Sequence, residues 1–178
     1  MDDEKLVIRA QNGDKEAFTK LIQRYKKEIY CIAKSRLDNE VDIDDAIQET
    51  LYKAYVNIRK LKEPKYFKTW IIRILYNNCT DITRSGNGKI ISFEEKILDS
   101  IPDDSDAYLD ITNNCDFFEL IDSLTDDEKT LITLKFSRDY DNKDIGKILN
   151  IKEGSVRMRF LRIKEKLKSK YKGEAKNE

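Results

Sequence analysis

Apolar residues fall three and four positions apart along most of this chain, the spacing of amphipathic helices. A short helix, Leu6–Gln11, should stop at Asn12-Gly13. Asp14 then caps a longer helix to about Leu37, whose inner face carries Phe18, Leu21, Ile22, Tyr25, Ile29, Ile32 and Ala33. After the polar turn Asp38-Asn39-Glu40, a helix from about Asp42 to Lys60 places Ile47, Leu51, Ala54, Tyr55 and Ile58 inward. Lys62-Glu63-Pro64-Lys65 reads as a loop, because Pro64 disfavours helical geometry in the residue before it. A further helix, about Tyr66 to Arg84, groups Phe67, Trp70, Ile71, Ile74 and Leu75, and Ser85-Gly86-Asn87-Gly88 breaks it. The stretch to about Asn114 reads as a tether with one transient turn near Phe93–Leu98.

Four helices should follow the tether. The first spans about Asp116–Ser123, and the second is capped by Thr125, with Glu128 completing a Thr-x-x-Glu capping box. A third spans about Asn142–Leu149, and Asn150-Ile151 form a tight turn, since Asn tolerates left-handed backbone. The last runs from about Glu153 to Tyr171. The expectation is an all-α chain of two small helical domains.

Composition narrows the function. Apolar residues make up 39% and charged residues 38%, and six glycines and two prolines are too few for a many-stranded fold. No apolar run of about 18 residues occurs, and the start Met-Asp-Asp-Glu does not look like a signal peptide, so a cytoplasmic protein is expected. Cys31, Cys79 and Cys115 lie far apart and read as reduced, half-buried thiols. There is no histidine, which excludes Ser-His-Asp and Cys-His nucleophiles and imidazole metal sites. No Gly-rich phosphate loop occurs either. Neither catalysis nor a cofactor is expected.

The net charge of zero hides a segregation. Residues 6–84 carry a net +5, residues 85–118 a net −6 and residues 119–178 a net +3, with +7 concentrated in 152–172. Two basic blocks around an acidic strap suggest two polyanion-binding domains and a linker.

The end of the chain has helix-turn-helix spacing. Ile145 and Ile148 lie on a short helix, a turn follows, and Gly154-Ser155-Val156 opens a basic helix. Val156 and Ile163 should pack inward, leaving Arg157, Met158, Arg159, Leu161 and Arg162 around the outer half. Such a helix fits the major groove, where arginine forks read guanine edges and lysines meet phosphates. Upstream, Asp45, Gln48, Glu49 and Tyr52 share one helix face. Two explanations are open for this acidic-polar patch: a cationic partner, or pairing with lysines of the same chain. Trp70 reads as core, holding its helix against its neighbours.

Leu124-Thr125-Asp126-Asp127-Glu128-Lys129, Ile145-Gly146-Lys147-Ile148-Leu149 and Gly154-Ser155-Val156-Arg157 together resemble the fourth conserved region of sigma-70 factors. Response-regulator output domains share nearly the same pattern, so a stand-alone helix-turn-helix regulator with a helical N-terminal domain stays open on this segment alone. The stretch from Phe67 through Trp70, Arg73-Ile74, Asn77 and Asp81 to Arg84 resembles the second sigma region. Asp44-Asp45-Ala46-Ile47-Gln48-Glu49-Thr50-Leu51 resembles the motif that docks polymerase, and Gly13-Asp14-Lys15-Glu16-Ala17-Phe18 resembles the usual family start. With no first or third region, the chain is similar to the extracytoplasmic-function (ECF) group.

The resemblance implies region 2 over residues 1–88, a linker over 89–115, region 4 over 116–172 and a tail over 173–178. It implies core RNA polymerase as partner, through the β′ clamp helices and the β flap, with Asp45, Gln48, Glu49 and Tyr52 on the docking face. It implies contact with promoter DNA at the −10 element and in melting by Lys65, Arg73, Asn77 and Arg84. The −35 element falls to Ser155, Arg157, Met158, Arg159, Leu161, Arg162, Lys164 and Lys166. Relatives are usually held inactive by an anti-sigma factor, often membrane-bound. Two positions depart from the family pattern: Met158, where many relatives carry a small or polar residue, and Gly146, where alanine is common.

Overall fold

The structure, a computed structural model, describes residues 3–85, 115–137 and 140–174. The expected tether, with its turn near Phe93–Leu98, lies outside the described residues. Within them the order is α1 (Asp3–Gln11), α2 (Lys15–Lys34), α3 (Glu40–Asn57), two 3₁₀ turns (Ile58–Lys60 and Pro64–Tyr66) and α4 (Phe67–Ser85). Then come α5 (Cys115–Ile121), α6 (Asp126–Phe136), α7 (Asn142–Leu149) and α8 (Glu153–Glu174). The described residues contain no strand.

The helix ends follow local chemistry. Asp14 accepts a hydrogen bond from the Ala17 N–H at 3.0 Å and pairs with Arg9 at 2.6 Å, starting α2. Those bonds hold the Asp14 carboxyl below its ordinary range. The Thr125–Glu128 capping box forms as expected, with Glu128 accepting from the Thr125 N–H at 3.0 Å. Asn150 closes α7 in the left-handed region at φ 54°. Several ends differ from expectation: α1 begins three residues earlier, and the last turn before Leu61 tightens into a 3₁₀ turn, as helix termini commonly do. Pro64 opens a 3₁₀ turn where a plain loop was expected, its fixed φ suiting the first position of a turn.

The N-terminal half is a four-helix cluster around Leu6, Leu21, Ile22, Ile29, Ile32, Ile43, Phe67, Ile71 and Leu75, all 2% exposed or less. The inner face of α3 is rotated from the expected stripe. Ile43, Ala46, Thr50, Leu51, Ala54 and Ile58 are buried, whereas Ile47 and Tyr55 are half-buried. Small residues let α4 approach closely there, and a polar chain crosses the contact. Lys53 donates to Asn78 Oδ1 at 2.7 Å, Asn78 Nδ2 donates to Thr50 at 2.8 Å, and Thr50 donates to the Ala46 carbonyl at 2.6 Å. Trp70 is half-buried beside Phe67, with ring centroids 6.0 Å apart. Cys79 is buried and Cys31 half-buried; burial raises both thiols, Cys79 to about 12.

The two halves touch. Arg36, 7% exposed, donates to Asp127 at 3.1 Å, to Thr130 at 3.2 Å and to Thr80 at 3.1 Å. Its guanidinium lies 4.5 Å from the Tyr76 ring, and the Tyr76 hydroxyl donates to Asp127 at 2.9 Å. Lys68 lies 4.5 Å from the Tyr140 ring, and Lys147 lies 4.4 Å from the Tyr66 ring. This contact explains Ile72, which is fully buried although it lies off the expected stripe of α4. Lys68 and Tyr76, one turn to either side of it, both reach the C-terminal half.

Candidate nucleic-acid and partner interfaces

Three surfaces carry the residues singled out from the sequence. On α3, Asp45, Gln48, Glu49 and Tyr52 share a face, as the spacing requires. The structure divides the patch. Glu49 pairs with Lys53 at 3.1 Å, an intrachain partner, whereas the side chains of Asp45 and Gln48 take no hydrogen bond or ion pair among the described residues. Next to them, partial burial raises the Asp44 carboxyl above its ordinary value, with a further push from the charges of Glu40 and Asp45. A helix that crowds carboxylates this way presents negative potential suited to a cationic surface.

The second surface runs along α4. At about 100° per residue, Arg73, Asn77 and Arg84 fall within roughly 40° of one another. All three are exposed, on the side of α4 opposite the buried Ile71 and Leu75. Arg84 lies about 16 Å along the axis from Arg73, so the residues form a line rather than a cluster. Lys65 stands at the N-terminal end of that helix, exposed, 3.9 Å from Glu63 and 5.1 Å from the Tyr66 ring. The preceding Ile58–Lys60 turn is anchored by Gln11, whose amide donates to the carbonyls of Ile58 at 3.0 Å and Leu61 at 2.7 Å. Sequence reasoning missed Gln11, because a polar side chain at a helix end gives no sign of a tertiary bond.

The third surface is α8. Val156 and Ile163 are fully buried, with Phe160 and Leu167 half-buried beside them. Arg157, Met158, Arg159, Leu161, Arg162, Lys164 and Lys166 are exposed, and Ser155 is half-buried. Arg159 and Arg162 border a cleft against Thr125, Asp127, Glu128 and Leu131. Lys166 reaches Glu128 at 3.0 Å, so a phosphate contact by this lysine requires leaving that pair. Partial burial opposes ionisation of Glu128, but the Thr125 N–H and the Lys166 ammonium outweigh it and hold the carboxyl below its ordinary range. An exposed basic helix after a helix and a tight turn has the form of a helix-turn-helix recognition helix.

The Sigma-70 region 2 profile matches residues 21–88, and the Sigma-70, region 4 profile matches residues 116–167. The ECF RNA polymerase sigma-E factor of Haemophilus influenzae is 30% identical over 96% of this chain and 95% of its own length. The chain belongs to the ECF sigma factors of the sigma-70 family. The ECF sigma factor SigW of Bacillus subtilis is 29% identical over 92% of this chain and 94% of its own length. A solved structure of CnrH in complex with the cytosolic domain of CnrY shares the fold, with a TM-score of 0.71 at 21% identity, covering 96% of this chain and 97% of that one. As an ECF sigma factor the protein is a transcription initiation factor that binds core RNA polymerase and directs it to promoters. The match to region 2 removes the reading as a stand-alone regulator, which the helix-turn-helix alone left open. No described helix of this sigma factor is long and apolar enough to cross a membrane.

Proposed function

We propose a division of labour among the three surfaces. The α3 face, led by Asp45 and Gln48, docks the β′ clamp helices of core polymerase. Arg73, Asn77 and Arg84, with Lys65 at the end of the helix, engage the −10 element and hold it open. The exposed side of α8 reads the −35 element, while the C-terminal half meets the β flap. Region 2 would then occupy residues 1–88 and region 4 residues 116–172, working in the cytoplasm and held in check by an anti-sigma factor.

The observation that carries this reading is the solvent-facing line of Arg73 and Asn77, which α4 turns away from its core face. Strand opening needs unstacked bases to be caught and the backbone to be held by cations. Asn77 has both the exposure and the hydrogen-bonding capacity to take a base edge. An Asn77→Ala holoenzyme should lose permanganate reactivity of promoter thymines about tenfold on duplex template, and a pre-melted template should restore activity. Equal loss on both templates would make Asn77 a structural residue and remove it from the melting surface.

A further inference from the structure

Seven large apolar residues are well exposed among the described residues: Ile8, Val41, Val56, Tyr66, Phe136, Met158 and Leu161. Only Met158 and Leu161, 53% and 48% exposed, stand one helical turn apart. They lie near the N-terminal end of α8, which begins at Glu153. With Val156 and Ile163 defining the buried side, rotation by about 100° per residue places Met158 and Leu161 within roughly 40° of the outermost line of the helix. Arg157 and Arg162 fall farther out to either side of that line, about 140° from each other. The part of α8 that would face the floor of a groove is therefore apolar, with an arginine on each flank.

We infer that Met158 and Leu161 read thymine methyl groups in the −35 element. The inference rests on α8 being the −35 reader, as proposed above, and adds the chemical class of base that it selects. The surrounding Arg157, Arg159, Arg162 and Lys164 are complementary to a polyanion, which selects nucleic acid over an apolar protein partner for this face. On the floor of the major groove the thymine C5-methyl is the apolar feature of the base edges, and apolar side chains recognise it. Met158 and Leu161 are separated by about 4.5 Å along the helix axis. Base pairs repeat every 3.4 Å or so, so the two side chains meet neighbouring pairs. Glu165, one turn beyond Leu161 and exposed on the same line, ends the apolar strip.

The test uses holoenzyme assembled with the full chain. A −35 library is first selected with the wild type, and each thymine of the preferred sequence is then replaced by deoxyuridine, which lacks only the methyl. Affinity should fall about fourfold at each of two adjacent base pairs, the value of one methyl-sized group leaving water. Met158→Ala should abolish the sensitivity at one of these positions and Leu161→Ala at the other. A preferred −35 element without adjacent thymine-bearing pairs, or one indifferent to deoxyuridine, overturns the inference. If Arg157→Ala or Arg162→Ala still relaxes base preference in that case, α8 remains the −35 reader. If neither does, the reading of α8 fails with it.

Discussion

A chain carrying Asp45→Lys and Glu49→Lys should fold normally and no longer co-purify with core polymerase. Asp45 carries most of this effect, because its side chain has no partner among the described residues and its charge remains available to a cationic surface. Removing one side of such a charge pair at an interface costs about 2–5 kcal/mol, and reversing the charge adds repulsion. Glu49 is already satisfied by Lys53, so Glu49→Lys alone should weaken binding less and should cost a few tenths of a kcal/mol in helix stability. Circular dichroism separates the two effects: helicity should match the wild type, while pull-down of polymerase is lost. Normal co-purification of the double variant would move the docking surface elsewhere.

Gly146→Val should disable the C-terminal half. A Cβ on Gly146 would lie 2.8 Å from the Ile151 carbonyl oxygen, which belongs to the backbone of the turn into α8. That oxygen cannot swing aside as a side-chain end would, so α7 and the turn must separate. Overpacking of this kind costs about 1–3 kcal/mol. Gly146→Ala recovers up to about 1 kcal/mol from better helix propensity, which offsets part of that cost. Valine adds bulk at the same contact with less propensity to offset it, so it should lower the thermal midpoint and weaken −35-dependent initiation. A valine variant as stable as the wild type would show that the turn has slack.

The features legible in the sequence are those set by neighbours within a few residues. The Thr125–Glu128 capping box, the left-handed Asn150 and the alternation of Val156 and Ile163 with exposed arginines depend on local spacing, and the structure has each of them. Long-range contacts were harder to see. Ile72 lies off the inner stripe of α4, and its neighbours one turn away, Lys68 and Tyr76, both reach the other half of the chain. Nothing local marks Arg36 as buried, yet its terminal nitrogens donate to Asp127, Thr130 and Thr80 and its guanidinium lies against the Tyr76 ring. Asn78 fell beside the motif residue Asn77, and nothing local distinguishes the buried asparagine, which links Lys53 to Thr50, from the exposed one. Among the candidate site residues, exposure followed the helical period well. Pairing did not, as Glu49–Lys53 and Lys166–Glu128 illustrate.

The two helical halves should act on promoters only through polymerase. Abortive transcription from purified core enzyme on a duplex promoter selected with this sigma factor measures this dependence. Short promoter-specific products should appear when the chain is added and be absent with core enzyme alone. Free chain should bind the same duplex far more weakly than holoenzyme does. Products that do not depend on the chain, or tight promoter binding by the chain without polymerase, would contradict this dependence.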